Sequence, residues 1–328
     1  MGRVAKVTMI QAINQALSLA MERDSRVMVL GEDVGKNGGV FRATEGLLEN
    51  FGEARVVDTP LAESAIVGSS VGLAVGGMRP VAEIQFFGFI FETMDQIGTQ
   101  ASRIRFRSQG RYHVPLVIRA PYGGGVRTPE IHSDSIEAFF VHSPGIKVVT
   151  PSTPYDAKGL LLASIQDPDP VLFIEPMRLY RAFREEVPDD WYEVPIGEAR
   201  LVREGSDVTV VAWGPMVPVA EVAAQKAEQE GISVEVLDLR TLSPIDTGRI
   251  VQSVQKTGRA VVVHEAVRTG GVGGEIVSLI QEGAFLSLEA PVQRVTGYDT
   301  PFPVPSVEDL WLPDADRVLR AIRTTIHY

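Results

Sequence analysis

Short apolar runs, recurring with helix-length stretches between them, constrain this 328-residue chain more than any other feature. The first series is Val27–Leu30, Val56–Val57, Val81–Phe86, Leu116–Ile118, Val148–Val149 and Val171–Ile174. Strands that are apolar along their length, not at every second residue, are buried on both faces, the situation of parallel sheets covered by helices. The alternation returns in Val208–Ala212, Val234–Leu237, Ala260–Val263 and Val292–Val295 and ends on a helix near Asp314–Ile326. Between the series lies a polar, proline-bearing stretch from Glu175 to Gly197 that reads as a linker wrapping the surface. The expected fold is therefore α/β, with two doubly wound domains over residues 1–185 and 200–328 and a linker at 186–199. Thr8 is placed to cap the first helix, whose apolar residues Ile10, Ile13, Leu17, Ala20 and Met21 follow the 3.6-residue period.

Composition narrows the function classes. A net charge of −11 repels nucleic acid and anionic membrane, so neither is expected as a partner. No apolar run approaches the roughly 20 residues that span a bilayer. The chain has no cysteine, which excludes disulfides and thiol catalysis. The start, Met1-Gly2-Arg3-Val4-Ala5-Lys6, lacks the apolar core of a signal peptide, and Lys6 stands where myristoylation needs Ser or Thr. A soluble, cytoplasmic protein with no targeting peptide is expected. The local basic run of Arg103, Arg105, Arg107 and Arg111 either serves a helix C-terminus or contacts an acidic partner.

Open α/β sheets place ligands at the C-terminal ends of their strands. Three such ends carry polar residues: Gly31-Glu32-Asp33, Asp58 through Glu63, and a long loop after Leu116–Ile118. The second, Asp58-Thr59-Pro60-Leu61-Ala62-Glu63-Ser64, is a proline-broken turn that delivers a carboxylate to the start of a helix. Gly68, Gly72 and Gly76 follow four residues apart, forming one bare stripe on that helix. A second helix packed against the stripe would keep Glu63 from water and raise its pKa, making it a neutral donor. The simpler role of Glu63 is that of a dipole partner. The third loop holds Gly123-Gly124-Gly125 and Pro129-Glu130-Ile131-His132-Ser133, and its length and glycines suit a mobile segment. His132 is either a general acid/base or an ordinary surface histidine. Phe86, Phe87, Phe89 and Phe91 read as core, with Phe89 best placed to stack on a planar ring. Neither Gly123-Gly124-Gly125 nor Gly270-Gly271-Val272-Gly273-Gly274 has dinucleotide spacing, no Walker A sequence occurs, and His264-Glu265 lacks the second histidine of a zincin.

Taken together these segments resemble the β subunit of the E1 component of 2-oxo acid dehydrogenase complexes, a thiamine-diphosphate-dependent decarboxylase. The motifs are Gly31-Glu32-Asp33-Val34, Gly39-Val40-Phe41, Asp58-Thr59-Pro60-Leu61-Ala62-Glu63 and Ala82-Glu83-Ile84-Gln85-Phe86. They continue with His132-Ser133, Pro144-Gly145-Ile146-Lys147-Val148-Val149 and the run from Pro151 to Leu161. Asp238-Leu239-Arg240-Thr241 and Gly297-Tyr298-Asp299-Thr300-Pro301 complete the family's order over nearly the whole chain.

The resemblance implies a transketolase-like pyrimidine-binding domain followed by a transketolase C-terminal-like domain. It gives Glu63 the part of the glutamate that shares a proton with the aminopyrimidine N1′, favouring the tautomer that deprotonates the thiazolium C2. It matches Phe89 to the aromatic packing on that ring, Leu61 and Gln85 to the same pocket, and His132 to proton transfer and reductive acyl transfer to a lipoyl group. Leu116, Ser164, Ile165, Asp167 and Asp169 fall where the family holds a structural potassium ion, although Asp167–Pro170 also reads as a plain Asp-Pro turn. Thiamine enzymes anchor the diphosphate through Mg2+ with a Gly-Asp-Gly sequence, which is absent here. The diphosphate and Mg2+ must then be held by a partner, the E1 α subunit, in an α2β2 heterotetramer. The glycine stripe becomes a subunit contact. The second domain and the Tyr328 carboxylate become the docking face for the lipoyl-bearing E2 dihydrolipoyl acyltransferase.

The substrate is a 2-oxo acid. Glu83 through Phe89 and Thr128 through Asp134 look like pyruvate enzymes, whereas Glu137 through His142 and His264 through Gly271 look more like branched-chain enzymes. Pyruvate is slightly favoured. An acetoin dehydrogenase β subunit shares the architecture, and a silent scaffold joining the α subunit to E2 is the non-enzymatic alternative.

Overall fold

A computed structural model describes residues 4–328, so the Met1–Arg3 part of the targeting expectation, which rests on Met1 through Lys6, falls outside the described residues. The chain separates into two compact units. One contains the chain up to Tyr122 and Phe139–Ile196; the other contains Gly123–Ala138 and Gly197–Tyr328.

In chain order the first unit holds β1 (Val4–Val7), α1 (Met9–Arg23), β2 (Val27–Gly31), α2 (Leu47–Phe51), β3 (Val56–Asp58), α3 (Glu63–Val75) and β4 (Arg79–Glu83). Then come α4 (Ile104–Arg107), β5 (Val117–Tyr122), α5 (Ala138–Val141, entering from the other unit), β6 (Lys147–Val149), α6 (Pro154–Gln166), β7 (Val171–Pro176) and β8 (Glu185–Pro188). Six strands of this unit pair in the order β6-β7-β5-β4-β2-β3, and all five ladders are parallel. The α1 helix forms as its pattern requires: Thr8 precedes it, the Gln11 side chain accepts the Thr8 N–H at 3.0 Å, and Ile10, Ile13, Leu17, Ala20 and Met21 are buried. It packs against α6, whose first turn is fixed by Pro154 and by Thr153 Oγ1 accepting the Asp156 N–H at 3.1 Å.

Two local expectations shift. The strand expected over Val81–Phe86 runs Arg79–Glu83, and Phe87–Thr93 turn into a 3-10 helix that buries Phe87. The stretch from Glu175 to Gly197 is not linker throughout. Glu175 lies inside β7 with no exposed surface, Tyr180 is buried, and β8 pairs antiparallel with β1. A glutamate is tolerated in that core because a buried guanidinium, Arg119, meets it.

The second unit contains β9 (Arg200–Arg203), β10 (Val208–Ala212), α7 (Met216–Glu228), β11 (Val234–Asp238), β12 (Thr241–Ser243) and α8 (Thr247–Thr257). It ends with β13 (Ala260–Val267), α9 (Val272–Ala284), β14 (Gln293–Gly297), α10 (Glu308–Trp311) and α11 (Ala315–Ile326). Its sheet runs β14-β13-β10-β11-β9, parallel except for the edge strand β9. Val208, Val210, Val234, Val236, Val261 and Val263 form a core with residues of α7 and α11. Asp314 caps α11 by accepting the Arg317 N–H at 2.6 Å. Gly123–Ala138, expected in the first domain, counts with this unit. No helix among the described residues is long and apolar enough to cross a membrane.

Candidate active site

In the first unit the candidate residues Glu63, Gln85 and Phe89 follow the C-terminal ends of β3 and β4, with Glu32 just past β2. Asp58, the last residue of β3, is structural: its carboxylate accepts the backbone N–H groups of Gly35 at 2.6 Å and Lys36 at 3.1 Å. These bonds fold the loop after β2 back over the sheet. Close packing there needs Gly31, because a Cβ at that position would lie 2.8 Å from the Glu83 carbonyl oxygen.

Glu63 opens α3 and is 8% exposed. Its neighbour is an acid to which sequence reading gave no role: Glu32, just past β2, is 6% exposed. Neither oxygen of the Glu32 carboxyl has a hydrogen-bond partner among the described residues. Burial, and then the charges of Glu63, Asp33 and Glu83, push the Glu32 carboxyl up to about 7. Two adjacent carboxyls, one of them unsatisfied, make a site that suits a ligand carrying hydrogen-bond donors and a protonatable nitrogen. An aminopyrimidine has both.

The other expected residues divide. Gln85 follows β4 and is half-buried. Phe89 is half-buried on the 3-10 helix, edge-on to Phe86 at 5.9 Å, while Phe86 and Phe87 are core. Ser64 Oγ donates to the Glu92 carbonyl at 2.5 Å, tying the first turn of α3 to the helix that carries Phe89. Leu61, expected in the same pocket, is 81% exposed. The glycine stripe also departs from expectation. A Cβ at Gly68 would touch Gln96 at 3.5 Å, but one at Gly72 would meet nothing within 4 Å among the described residues. Among the described residues the Asp95–Ala101 helix reaches the Gly68 end of the stripe, through Gln96, and nothing lies over Gly72.

Beneath these residues lies a buried ion network with no counterpart in the sequence reading. Arg119 on β5 donates from Nη1 to Glu83 at 2.6 Å, and from Nε and Nη2 to Glu175 at 2.6 and 2.9 Å. Tyr180 adds a 2.6 Å bond to Glu175. Burial works against the Arg119 charge, but Glu175 and Glu83 outweigh it and hold its pKa above the ordinary value. Burial pushes Glu83 up, against the pull of Arg119. The signal was an ionisable residue inside the buried run of each of three adjacent strands, Glu83, Arg119 and Glu175, with Glu83 and Arg119 in register as direct neighbours.

Leu116, Ser164, Ile165, Asp167 and Asp169 lie at the opposite, N-terminal edge of that sheet. The Leu116 carbonyl accepts the Val171 N–H at 2.9 Å, and Arg79 donates to the Ile165 carbonyl at 2.7 Å. Lys147 binds the Asp167 carboxylate at 2.6 Å, and Arg105 binds that of Asp169 at 2.5 Å. The carboxylates are engaged by cations already, and the backbone carbonyls of this edge keep lone pairs that a monovalent ion could use. Of the basic run, Arg105 makes this bridge while Arg103 donates to the Gly98 carbonyl, so these cations serve local acceptors.

In the second unit, His132 ends a short 3-10 turn, Glu130–His132, and its N–H donates to the Pro129 carbonyl at 3.0 Å. The hydroxyls of Ser133 and Thr128 meet at 2.7 Å across the turn. The glycines ahead of it are not slack. A Cβ at Gly123 would fall 2.5 Å from Glu265 Oε2, and one at Gly124 would fall 2.5 Å from the Phe302 ring. They permit close approach of the segment to its own unit.

Comparison with known proteins gives this arrangement a family. Residues 5–182 match the transketolase pyrimidine-binding domain, and residues 197–318 match the transketolase C-terminal domain. Over 325 residues the chain is 54% identical to the pyruvate dehydrogenase E1 component subunit beta of Bacillus subtilis (strain 168) and 53% identical to that of a Staphylococcus epidermidis strain. Each match spans 99% of this chain and 100% of the relative. Among solved structures, a split-gene transketolase described as an inactive β4 tetramer matches with a TM-score of 0.80 at 24% identity, over 98% of this chain and 99% of that one. A transketolase variant from Pichia stipitis matches with a TM-score of 0.69 at 14% identity, over 98% of this chain and 46% of that one. The chain belongs to the family of pyruvate dehydrogenase E1 component β subunits, a thiamine-diphosphate-dependent family assembled from transketolase-type domains.

Proposed function

We propose that this chain joins an E1 α subunit to decarboxylate pyruvate and pass the acyl group to the lipoyl group of E2. The observation that carries this reading is the pair of adjacent buried carboxyls, Glu63 and Glu32, at the strand ends of a pyrimidine-binding domain. Glu63 shares a proton with the pyrimidine N1′, and the half-buried Phe89 gives the ring an apolar face. When bound, thiamine diphosphate supplies a nucleophilic carbon and an electron sink for loss of CO2. His132 moves the proton of reductive acyl transfer, at the lipoyl sulfur. The exposed Leu61 and the α3 stripe, open at Gly72, support an α subunit completing the pocket and contributing the diphosphate and Mg2+ grip that this sequence lacks. Backbone carbonyls of Leu116, Ser164, Ile165, Asp167 and Asp169 hold a structural K+ at the far edge of the sheet.

Pyruvate is chosen over branched-chain acids and acetoin because the relatives at 53–54% identity carry the pyruvate name. The test is thiamine-dependent decarboxylation by the reconstituted two-subunit enzyme. The kcat/KM for pyruvate is expected to exceed that for 3-methyl-2-oxobutanoate by about tenfold or more, the value of a poorly fitting apolar branch. A branched-chain preference moves the substrate assignment. No activity on any 2-oxo acid sinks the reading in favour of acetoin or a scaffold.

A further inference from the structure

The segment carrying His132 is fixed to the second unit on both sides of that residue. On the N-terminal side the Gly125 N–H donates to the buried Glu308 carboxylate, and Arg127 pairs with Asp309 and donates to the Pro305 carbonyl. On the C-terminal side stands Glu137, 1% exposed. Its Oε1 accepts the Trp213 indole N–H at 3.4 Å. The indole in turn stacks on the His264 ring at 5.1 Å and 13°. Gly271 and Gly273 let the backbone pass close to the His264 ring: a Cβ on either would come within 2.8 or 2.5 Å of it.

We propose that Glu137 and Trp213 are positioning residues for His132, holding the far end of its segment so that the imidazole keeps one pose for acyl transfer. The inference rests on the reading of His132 given above. A buried acid is a costly way to fill a core, since an apolar side chain would seat there without desolvation. What the acid adds is a directional bond to a rigid, stacked indole, which an apolar residue cannot supply. The chemistry of the stack agrees. Burial pushes Glu137 up toward its neutral form, and burial, then the Arg294 charge, takes His264 down to about 3, leaving an uncharged ring against the indole. Glu137 touches no reacting atom in this scheme; it acts through the backbone between itself and His132.

The experiment uses the assembled two-subunit enzyme with a lipoyl domain, comparing Glu137→Leu, Glu137→Gln, Trp213→Phe and His132→Ala. With an artificial electron acceptor, Glu137→Leu and Trp213→Phe should keep pyruvate kcat and KM within about twofold. Their acyl transfer to the lipoyl domain should fall about tenfold or more, toward the His132→Ala value. Glu137→Gln keeps an acceptor for the indole N–H and should restore transfer to within about threefold of the parent. Equal losses in both assays, or transfer unaltered in Trp213→Phe, would overturn the proposal. A readout independent of activity is tryptic cleavage after Arg127, which should speed up about tenfold in Glu137→Leu as the segment loses its anchor. Unchanged cleavage also overturns it. An inactive parent enzyme would reject the proposed function while the cleavage result still judged the anchor.

Discussion

Glu32 shows how its surroundings set the charge of one side chain. Its carboxyl is buried, lacks a partner among the described residues and is pushed up to about 7. The folded chain therefore holds a proton there more tightly than the unfolded chain does. Linkage makes this contribution favourable below the ordinary glutamate range and removes it as pH rises through about 7. For the β chain alone, Glu32→Gln should raise Tm at pH 8 by roughly 2 °C or more and leave it unchanged at pH 5. Thermal melts at the two pH values decide it, and equal shifts at both would reject the buried-acid account. Sequence reading found Glu63 because a helix start announces itself through a turn and a glycine ladder. It found no role for Glu32, because nothing local says that a glutamate after an apolar strand will face another acid.

At the scale of elements, α3 and β5 give opposite tests. Gly72 is in helical backbone with open space beyond it, so Gly72→Leu should leave the β fold intact, or slightly improve it by removing a helix glycine worth about 0.5–1 kcal/mol. If the stripe is the α-subunit seam, the same change should abolish co-purification with that subunit. Full assembly by the variant would place the seam elsewhere. Arg119 on β5 is the converse, an internal necessity. Arg119→Met strands two buried carboxylates and should cost about 3–5 kcal/mol in denaturant unfolding. A loss below about 1 kcal/mol would show that the network relaxes by protonation. The elements themselves were legible: Ile10 through Met21 marked α1, and Asp314 marked the start of the last helix. The β1–β8 pairing was not, because Val4–Val7 and Glu185–Pro188 are too short and polar to declare a partner nearly the whole first unit away. Nor was the burial of Glu175, which depends on a guanidinium from a different strand.

For the whole molecule, sorting by function is visible in one sheet. The residues proposed for chemistry, Glu63, Gln85 and Phe89, follow the C-terminal strand ends, and the carbonyls proposed for K+ stand at the N-terminal ends, so the proposal gives that cation a role in stability and none in catalysis. Replacing KCl by tetramethylammonium chloride at equal ionic strength should therefore lower Tm by a few degrees without altering KM for pyruvate. Identical melts would remove the cation from the proposal. The split of the chain into two units also bears on its synthesis. Every strand of the first unit, β8 included, is synthesised before residue 197 is added, whereas Gly123–Ala138 belongs with a unit that does not yet exist. During translation that stretch must wait as an unsatisfied excursion, its arginine and its buried-to-be glutamate facing water, until Trp213, Phe302 and Glu308 arrive to receive them. The segment that presents His132 is among the last parts of the chain to find its place, so a ribosome-stalled chain ending before Phe302 should already hold a finished sheet and still lack a seated histidine.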